Sequence, residues 1–254
     1  LRTDIENGVT YFLEENGEIF KNGQKVINGV TYVFGADGKC TSNYKPGWEK
    51  TADGWKWKQA DGTYAAGTWI LTSGKYYYLK SNGIMATYWT QVDGKYYFLG
   101  ADGSMRTYWQ NIYGKYYWLG RDGAMKTGWT SVGSKWYYLD SNGVMQTGYI
   151  KTGNTRFYMD ANGVMQTGWQ YVNGYKLYFK SNGALQQDVS SMVSGPYRLR
   201  VNRTTCMVTV FAKDGSNGYI IPVKSMTCSV GLPATPTPTG TFYIGDQDRW
   251  HILM

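Results

Sequence analysis

The hydrophobic and polar positions of this chain repeat with a fixed period of about twenty residues. An aromatic residue, a methionine and a glycine each recur in a constant phase. The three series are Trp69, Trp89, Trp109, Trp129, Tyr149 and Trp169; Met85, Met105, Met125, Met145, Met165 and then Leu185; and Gly83, Gly103, Gly123, Gly143, Gly163 and Gly183. A period in this range is typical of stacked supersecondary units rather than of one globular core.

Each unit has the pattern of a short β-hairpin. A first strand runs to a turn that contains glycine, such as Asp93-Gly94, and a dense aromatic strand follows, such as Trp136-Tyr137-Tyr138-Leu139. Asn-Gly and Asp-Gly favour tight type I′ turns because both residues tolerate a positive φ. One such hairpin is marginally stable alone, so we expect neighbouring hairpins to stack and bury Met, Leu and part of the aromatic set.

The sequence therefore predicts an all-β fold, a β-hairpin solenoid of about nine 20-residue repeats. A four-stranded propeller blade needs a longer repeat, which argues against a β-propeller. The predicted domains are degenerate N-terminal repeats over residues 1–47, the main repeats over 48–188, a linker over 189–196 and a different β-rich segment over 197–254.

The aromatic residues are candidates for ligand binding. Alternate residues of a strand point to opposite faces, so stacked hairpins can bring three rings together around one groove. Such rings attract a quaternary ammonium, and they also suit the flat apolar face of a sugar. The alternative is that the rings only pack the solenoid, but an aliphatic core would do that equally well, which favours ligand binding for the set as a whole.

Charge and cysteine content narrow the partners. The chain carries 26 Lys and Arg against 18 Asp and Glu, a net charge of +8, which favours an anionic partner such as a wall polymer. These charges are scattered singly, so we expect no nucleic-acid partner, and no apolar run is long enough for a transmembrane segment. Three cysteines at unrelated spacings indicate no disulfide framework, and we expect neither a metal site nor a cofactor.

The units GWTSVGSKWYYLDSNGVMQTG and GWQYVNGYKLYFKSNGALQ resemble the cell-wall-binding repeats of Gram-positive surface proteins, in particular the choline-binding type. The resemblance covers residues 48–188 well and the first 47 loosely. It implies sites between consecutive repeats, each built from the Trp of Gly-Trp, the first aromatic of the triplet and the second aromatic of the next repeat. The candidate trios are Trp69, Tyr76 and Tyr97; Trp89, Tyr96 and Tyr117; Trp109, Tyr116 and Tyr137; and Trp129, Trp136 and Phe157.

Two departures from the choline-binding pattern bear on the ligand. Arg156 and Lys176 replace the first aromatic in the last repeats, and because a cation there would repel choline, we expect these sites not to hold it. The Tyr-rich triplets also resemble clostridial toxin and glucan-binding repeats, which hold carbohydrate. Choline and wall carbohydrate therefore both stay open as ligands.

The C-terminal segment resembles the opening of an L,D-transpeptidase catalytic domain. The resemblance rests on Val-Thr-Val-Phe, on Cys-Ser-Val-Gly and on Thr237-Pro238-Thr239-Gly240-Thr241-Phe242, which matches the TPxGxF signature. It implies a Cys nucleophile in a Ser-x-Gly-Cys motif that forms a thioester with a peptidoglycan peptide. That motif is absent here, so we expect this chain to be inactive and assign it no catalytic residue. Cys206 and Cys228 are interpreted as buried structural residues, and His251 as a strand residue.

The combined prediction is a secreted Gram-positive protein of the cell wall or cell surface. Its repeats would bind teichoic acid choline or wall carbohydrate, and its parent protein, of which a chain that starts at Leu1 is expected to be a piece, would cross-link peptidoglycan. The alternative is a non-enzymatic surface adhesin or a toxin-type carbohydrate-binding repeat protein.

Overall fold

The computed structural model describes residues 2–3 and 8–228. The chain divides into two compact units, one of residues 1–130 and 139–145 and the other of residues 131–138 and 146–254. In the described residues the regular structure is β-strand, apart from a single 3-10 turn at Gly215–Asn217. The predicted all-β fold of repeated hairpins is confirmed.

The first unit is a series of antiparallel strand pairs. Its strands are β1 (Arg2–Thr3), β2 (Thr10–Tyr11), β3 (Gly23–Ile27), β4 (Val30–Phe34), β5 (Cys40–Tyr44), β6 (Gly47–Thr51), β7 (Gly54–Lys58), β8 (Thr68–Thr72), β9 (Lys75–Leu79), β10 (Tyr88–Val92), β11 (Lys95–Leu99), β12 (Tyr108–Ile112) and β13 (Lys115–Leu119). Consecutive strands pair as β1-β2, β3-β4-β5, β6-β7, β8-β9, β10-β11 and β12-β13. β14 (Gly128–Val132) and β15 (Lys135–Leu139) have residues in both units.

The second unit contains two more hairpins and a three-stranded sheet. The hairpins are β16 (Gly148–Thr152) with β17 (Thr155–Met159) and β18 (Gly168–Val172) with β19 (Tyr175–Phe179). The sheet has the order β20 (Tyr197–Asn202), β21 (Met207–Ala212) and β22 (Ile221–Thr227), all antiparallel. Its third strand distinguishes this sheet from the two-stranded hairpins β16-β17 and β18-β19.

Two kinds of turn separate the strands of a repeat. The first is the predicted two-residue turn in which both residues are left-handed, as at Asp93 (φ 48°) and Gly94 (φ 76°). In the second turn only the glycine is left-handed, as at Gly83 (φ 76°), and the Asn82 side chain accepts a hydrogen bond from the Ile84 amide at 3.1 Å. Asn and Asp stabilise the second turn through their side chains, and not by adopting a positive φ themselves.

The core of the repeats comes from the last residue of each aromatic strand. These residues are completely buried: Leu79, Leu99, Leu119, Leu139, Met159 and Phe179. The methionine series lies half-buried beside this core and contacts the turn of the next repeat. At Gly103 (φ 77°) an added Cβ would meet the Met85 sulfur, so this turn requires glycine both for its backbone angle and for its space.

Backbone hydrogen bonds also connect a hairpin to the segment that follows the next hairpin. The amide of Met105 donates to the Tyr76 carbonyl, and that of Met125 to the Tyr96 carbonyl, each at 2.8 Å. In the second unit the Leu185 amide donates to the Arg156 carbonyl at the same distance. The hairpins β8-β9, β10-β11 and β16-β17 are thereby each held by a backbone bond to the segment that follows the next hairpin, and such contacts between units stabilise repeat proteins.

Candidate ligand-binding site

The strand register sets which aromatic side chains share a face. In the hairpin β10-β11, Trp89 lies opposite Phe98 and Gln91 lies opposite Tyr96. Side chains two residues apart on a strand point to the same face, so Trp89, Phe98 and Tyr96 lie on one face and Tyr97 on the other. Trp89 and Tyr96 are therefore diagonal neighbours, a separation that aromatic side chains can span.

Trp69 and Trp89 are each held between an aromatic of their own hairpin and one of the next. Trp89 lies 5.2 Å from Phe98 and 4.9 Å from Tyr117, measured between ring centroids. Trp69 lies 5.1 Å from Tyr78 and 5.0 Å from Tyr97. The contact to the next hairpin is edge-to-face in both cases, at 63° and 65°. The structure thus brings together the first and third members of the first two predicted trios.

The second member of each trio is the exposed one. The side chains of Tyr76 and Tyr96 are 45% and 46% exposed, whereas the tryptophans and the tyrosines of the next hairpin are half-buried. An exposed ring beside a fixed corner of two rings leaves aromatic surface open to solvent. Such a surface can attract an organic cation to its π faces.

Carboxylates add a negative field near one of these corners. Burial raises the pKa of the Tyr97 hydroxyl, and the charges of Asp122 and Asp93 raise it further. The two carboxylates therefore lie close enough to act on this corner, although Asp122 also pairs with Lys126 at 3.7 Å.

A further trio of the same construction was not predicted from the sequence. Trp48 lies 5.3 Å from Trp57 of its own hairpin and 4.9 Å from Tyr77 of the next, and Trp55 is 43% exposed. The interval from Trp48 to Trp69 is one residue longer than the others, which hides this repeat from a strict period. The seven-residue spacing from Trp48 to Trp55, the same as from Trp69 to Tyr76, is the signal that identifies it.

The other two predicted trios, Trp109, Tyr116 and Tyr137, and Trp129, Trp136 and Phe157, each take residues from both units. They stay predictions. Of the two cations that replace an aromatic, Arg156 is exposed, while the Lys176 ammonium lies 5.8 Å from the centroid of the Trp169 ring. Lys176 therefore faces Trp169, whereas the equivalent tryptophans Trp69 and Trp89 have an exposed tyrosine at this register position.

The remaining chemistry-bearing residues form no second centre in the described part of the chain. Across residues 8–228 no three His, Cys, Asp or Glu side chains are grouped so that they could hold a metal ion, and no helix there is long and apolar enough to cross a membrane. Cys206 and Cys228 are unpaired and half-buried, less buried than expected. The TPxGxF segment and His251 lie outside the described residues.

Models of known protein families match the chain in two regions. A choline-binding repeat matches residues 126–167, and a putative cell wall binding repeat matches residues 67–85, 88–105, 107–125 and 167–185. The L,D-transpeptidase catalytic domain matches residues 196–253. A search of curated protein sequences finds no significant match.

Similar solved structures include choline binding protein F from Streptococcus pneumoniae. Its structure in the presence of a peptidoglycan analogue is 30% identical, covers 71% of this chain and 84% of its own, and has a TM-score of 0.64. This chain belongs to the choline-binding protein family. Crystal form II of the same protein is 28% identical over 76% of this chain and 88% of its own, with a TM-score of 0.65. CbpJ from Streptococcus pneumoniae TIGR4, another structure with this fold, is 31% identical over 69% of this chain and 61% of its own, with a TM-score of 0.52.

Proposed function

We propose that this chain anchors a secreted protein to the cell wall of Gram-positive bacteria by binding choline groups of teichoic acid between consecutive repeats. The observation that supports the proposal is the recurrence of one geometry. Trp48, Trp69 and Trp89 each meet a tyrosine of the next hairpin at 4.9–5.0 Å and at nearly the same angle. Membership of the choline-binding family supports choline as the ligand of these corners.

Choline suits these corners because its charge is permanent and weakly hydrated. A quaternary ammonium against two or three π faces gains up to about 2 kcal/mol when it is desolvated. That is weak for one site, but several sites on one chain raise the overall affinity for a polymer that carries many choline groups. The basic surface adds attraction to the phosphates of the same polymer.

The C-terminal match supports a second part of the proposal. We assign an L,D-transpeptidase activity to the protein that contains this segment. A Cys thiolate attacks an amide carbonyl of a peptidoglycan peptide, the C–N bond breaks and its amine leaves, and an acceptor amine then displaces the thiolate from the thioester to form the cross-link. Cys206 and Cys228 are not placed in that role, because neither lies in a Ser-x-Gly-Cys sequence. An acyl-transfer assay on the full-length protein tests this part, and absence of that sequence from it would overturn the assignment.

Wall carbohydrate is the second candidate ligand, favoured by two exposed tyrosines outside the trios. Tyr88 (φ 58°) and Tyr108 (φ 63°) stand where later repeats have glycine, and their rings are about half exposed. A bulky residue in the left-handed region is strained, and such strain persists where the rest of the structure imposes it and often at functional sites. Exposed flat rings in these positions suit a sugar face.

Sedimentation with purified Gram-positive cell walls separates these ligands. We expect the chain to sediment with the walls and to be released by free choline. The matched control is 3,3-dimethylbutan-1-ol, which has the shape of choline without its charge and should release little. Equal release by both compounds would exclude the cation–π mechanism. Retention in choline with release by wall glycans would move the assignment to carbohydrate.

A further inference from the structure

The last repeat carries its own cation where the central repeats carry an exposed aromatic. Lys176 lies opposite Tyr171 in the hairpin β18-β19, the register position that Tyr96 holds opposite Gln91. Its ammonium lies 5.4 Å from the Tyr171 ring centroid and 5.8 Å from the Trp169 ring centroid. A cation of the chain itself thus takes the aromatic surface that the central repeats leave open.

A carboxylate from the C-terminal segment completes this contact. Asp214, in the loop between β21 and β22, lies 2.6 Å from the Lys176 ammonium. The Tyr171 hydroxyl donates to the same carboxylate at 2.7 Å, and the Asn217 side-chain amide donates to it at 3.0 Å. The Lys176 and Asp214 side chains are only 23% and 13% exposed, so both charges are largely withdrawn from water and satisfied by each other.

Backbone bonds join the same two parts of the unit. The Lys176 amide donates to the Ile220 carbonyl at 3.0 Å, and the Val189 amide donates to the Val223 carbonyl at 2.9 Å. Residue 189 opens the predicted linker, yet it is hydrogen bonded to β22. The first residue of the predicted linker is therefore held to the sheet by a backbone bond.

Apolar packing covers the area between these bonds. Val189, Ala212, Ile221 and Val223 form a buried cluster, each at most 5% exposed, and Trp169 and Tyr178 of the last hairpin pack against it. Tyr175 of the hairpin stacks on Phe211 of β21 with ring centroids 5.9 Å apart. A second ion pair, Lys224 with Asp188 at 2.9 Å, lies at the same junction.

From these contacts we infer that the aromatic surface of the last repeat is an intramolecular docking site. Its occupant is the sheet β20-β22 of the same chain, locked by Lys176 and Asp214, and an external cation is excluded from Trp169. The sheet covers apolar surface of the hairpin that a following repeat would otherwise cover, as a capping unit does in a repeat protein. This inference concerns the chain's own contacts and does not rest on choline being the ligand elsewhere.

Hydrogen exchange on the full chain tests the docking. We expect Asp214→Asn and Lys176→Met each to accelerate hydrogen exchange of the backbone amides at positions 176 and 189 about tenfold or more. Each substitution leaves a half-buried charge without its partner. The double variant should exchange no faster than the worse single variant. The matched control is Lys126→Met, which removes an exposed pair with Asp122 at 3.7 Å and should leave these amides unchanged.

Unchanged exchange in both Asp214→Asn and Lys176→Met would overturn the inference. Amide protection of the hairpin β10-β11 shows whether a variant has unfolded globally. Where it has, lysine acylation of the unaltered protein tests the docking instead.

Acylation by an N-hydroxysuccinimide ester requires the neutral amine, so Lys176 should react several-fold more slowly than Lys75 and Lys126. Equal reactivity of the three lysines would show that the docking contact does not form.

Discussion

The central repeats and the last repeat have the same hairpin and treat its tryptophan in opposite ways. Trp89 meets Tyr117 of the next hairpin, and Tyr96, the first aromatic of its partner strand β11, is exposed. Trp169 instead faces Lys176, whose charge is neutralised from within the chain. At one register position the central repeats have an aromatic residue and the last repeat has lysine. We call a repeat open where its aromatic surface can accept a cation from outside the chain, and filled where a lysine of the chain occupies that surface.

The first repeats show that this internal filling is not confined to the last one. The Lys25 ammonium lies 4.6 Å from the Phe20 ring centroid and 5.3 Å from that of Phe12, and it pairs with Glu14 at 3.2 Å. The combination of two rings, a lysine and a carboxylate is the one found at Trp169. The aromatic surfaces at Phe20 and at Trp169 are thus each filled by a resident lysine that has a carboxylate partner.

The largest expected effect on choline binding comes from replacing a tryptophan, and it should differ between a central repeat and the last repeat. Trp89→Leu should remove one choline site, or weaken it about thirtyfold, since a desolvated cation–π contact contributes about 2 kcal/mol. Trp169→Leu should leave the number of sites unchanged, because Lys176 already fills that surface. Calorimetric titration with choline measures both. If Trp169→Leu also lost a site, the distinction between open and filled repeats would be wrong.

Acid should weaken the filled repeat through its carboxylates. Hydrogen bonds from Asn217, Lys176 and Tyr171 lower the pKa of Asp214 to about 2 from its ordinary value of 3.8. A group with a lowered pKa in the folded state stabilises it above the ordinary value, and this contribution disappears as the pH falls from about 4 to about 2. The Ser190 hydroxyl and Lys224 lower the pKa of Asp188 as well, so both ion pairs act in the same direction.

Thermal unfolding of the wild-type protein and of Asp214→Asn across this range measures the effect. The wild type should have the higher unfolding midpoint at pH 6, and the two midpoints should converge near pH 2. The Asp214 pair also raises the pKa of Lys176, so the advantage of the wild type should fall again at strongly alkaline pH. A difference between the two proteins that stayed constant from pH 6 to pH 2 would contradict a charged contact at this position.

The sequence predicts the open repeats well because local rules determine them. Hydrophobic period, turn glycines and strand alternation predict the stacked hairpins, and the resemblance to cell-wall-binding repeats adds the pairing of Trp69 with Tyr97. The same rules place Trp48 at the start of the main repeats but assigned it no trio, because one additional residue breaks the period there while the spacing within the hairpin is kept. The filled repeat was only half predicted. Lys176 stands out as a cation at an aromatic position, but its partner Asp214 lies 38 residues away in a segment without the repeat.

The smallest expected effect on stability is that of replacing Lys75, an exposed lysine that serves as the comparison for Lys176. Lys75 pairs with Asp102 at 3.7 Å, and the two side chains are 56% and 48% exposed. Exposed pairs of this kind contribute little because water and salt screen them, so Lys75→Met should change the free energy of unfolding by no more than about 0.5 kcal/mol. Chemical denaturation measures it beside Lys176→Met, which removes the same charge from a half-buried pair. Equal losses in the two variants would mean that burial does not distinguish the filled repeat, because an exposed pair would then stabilise the chain as much as the docked one.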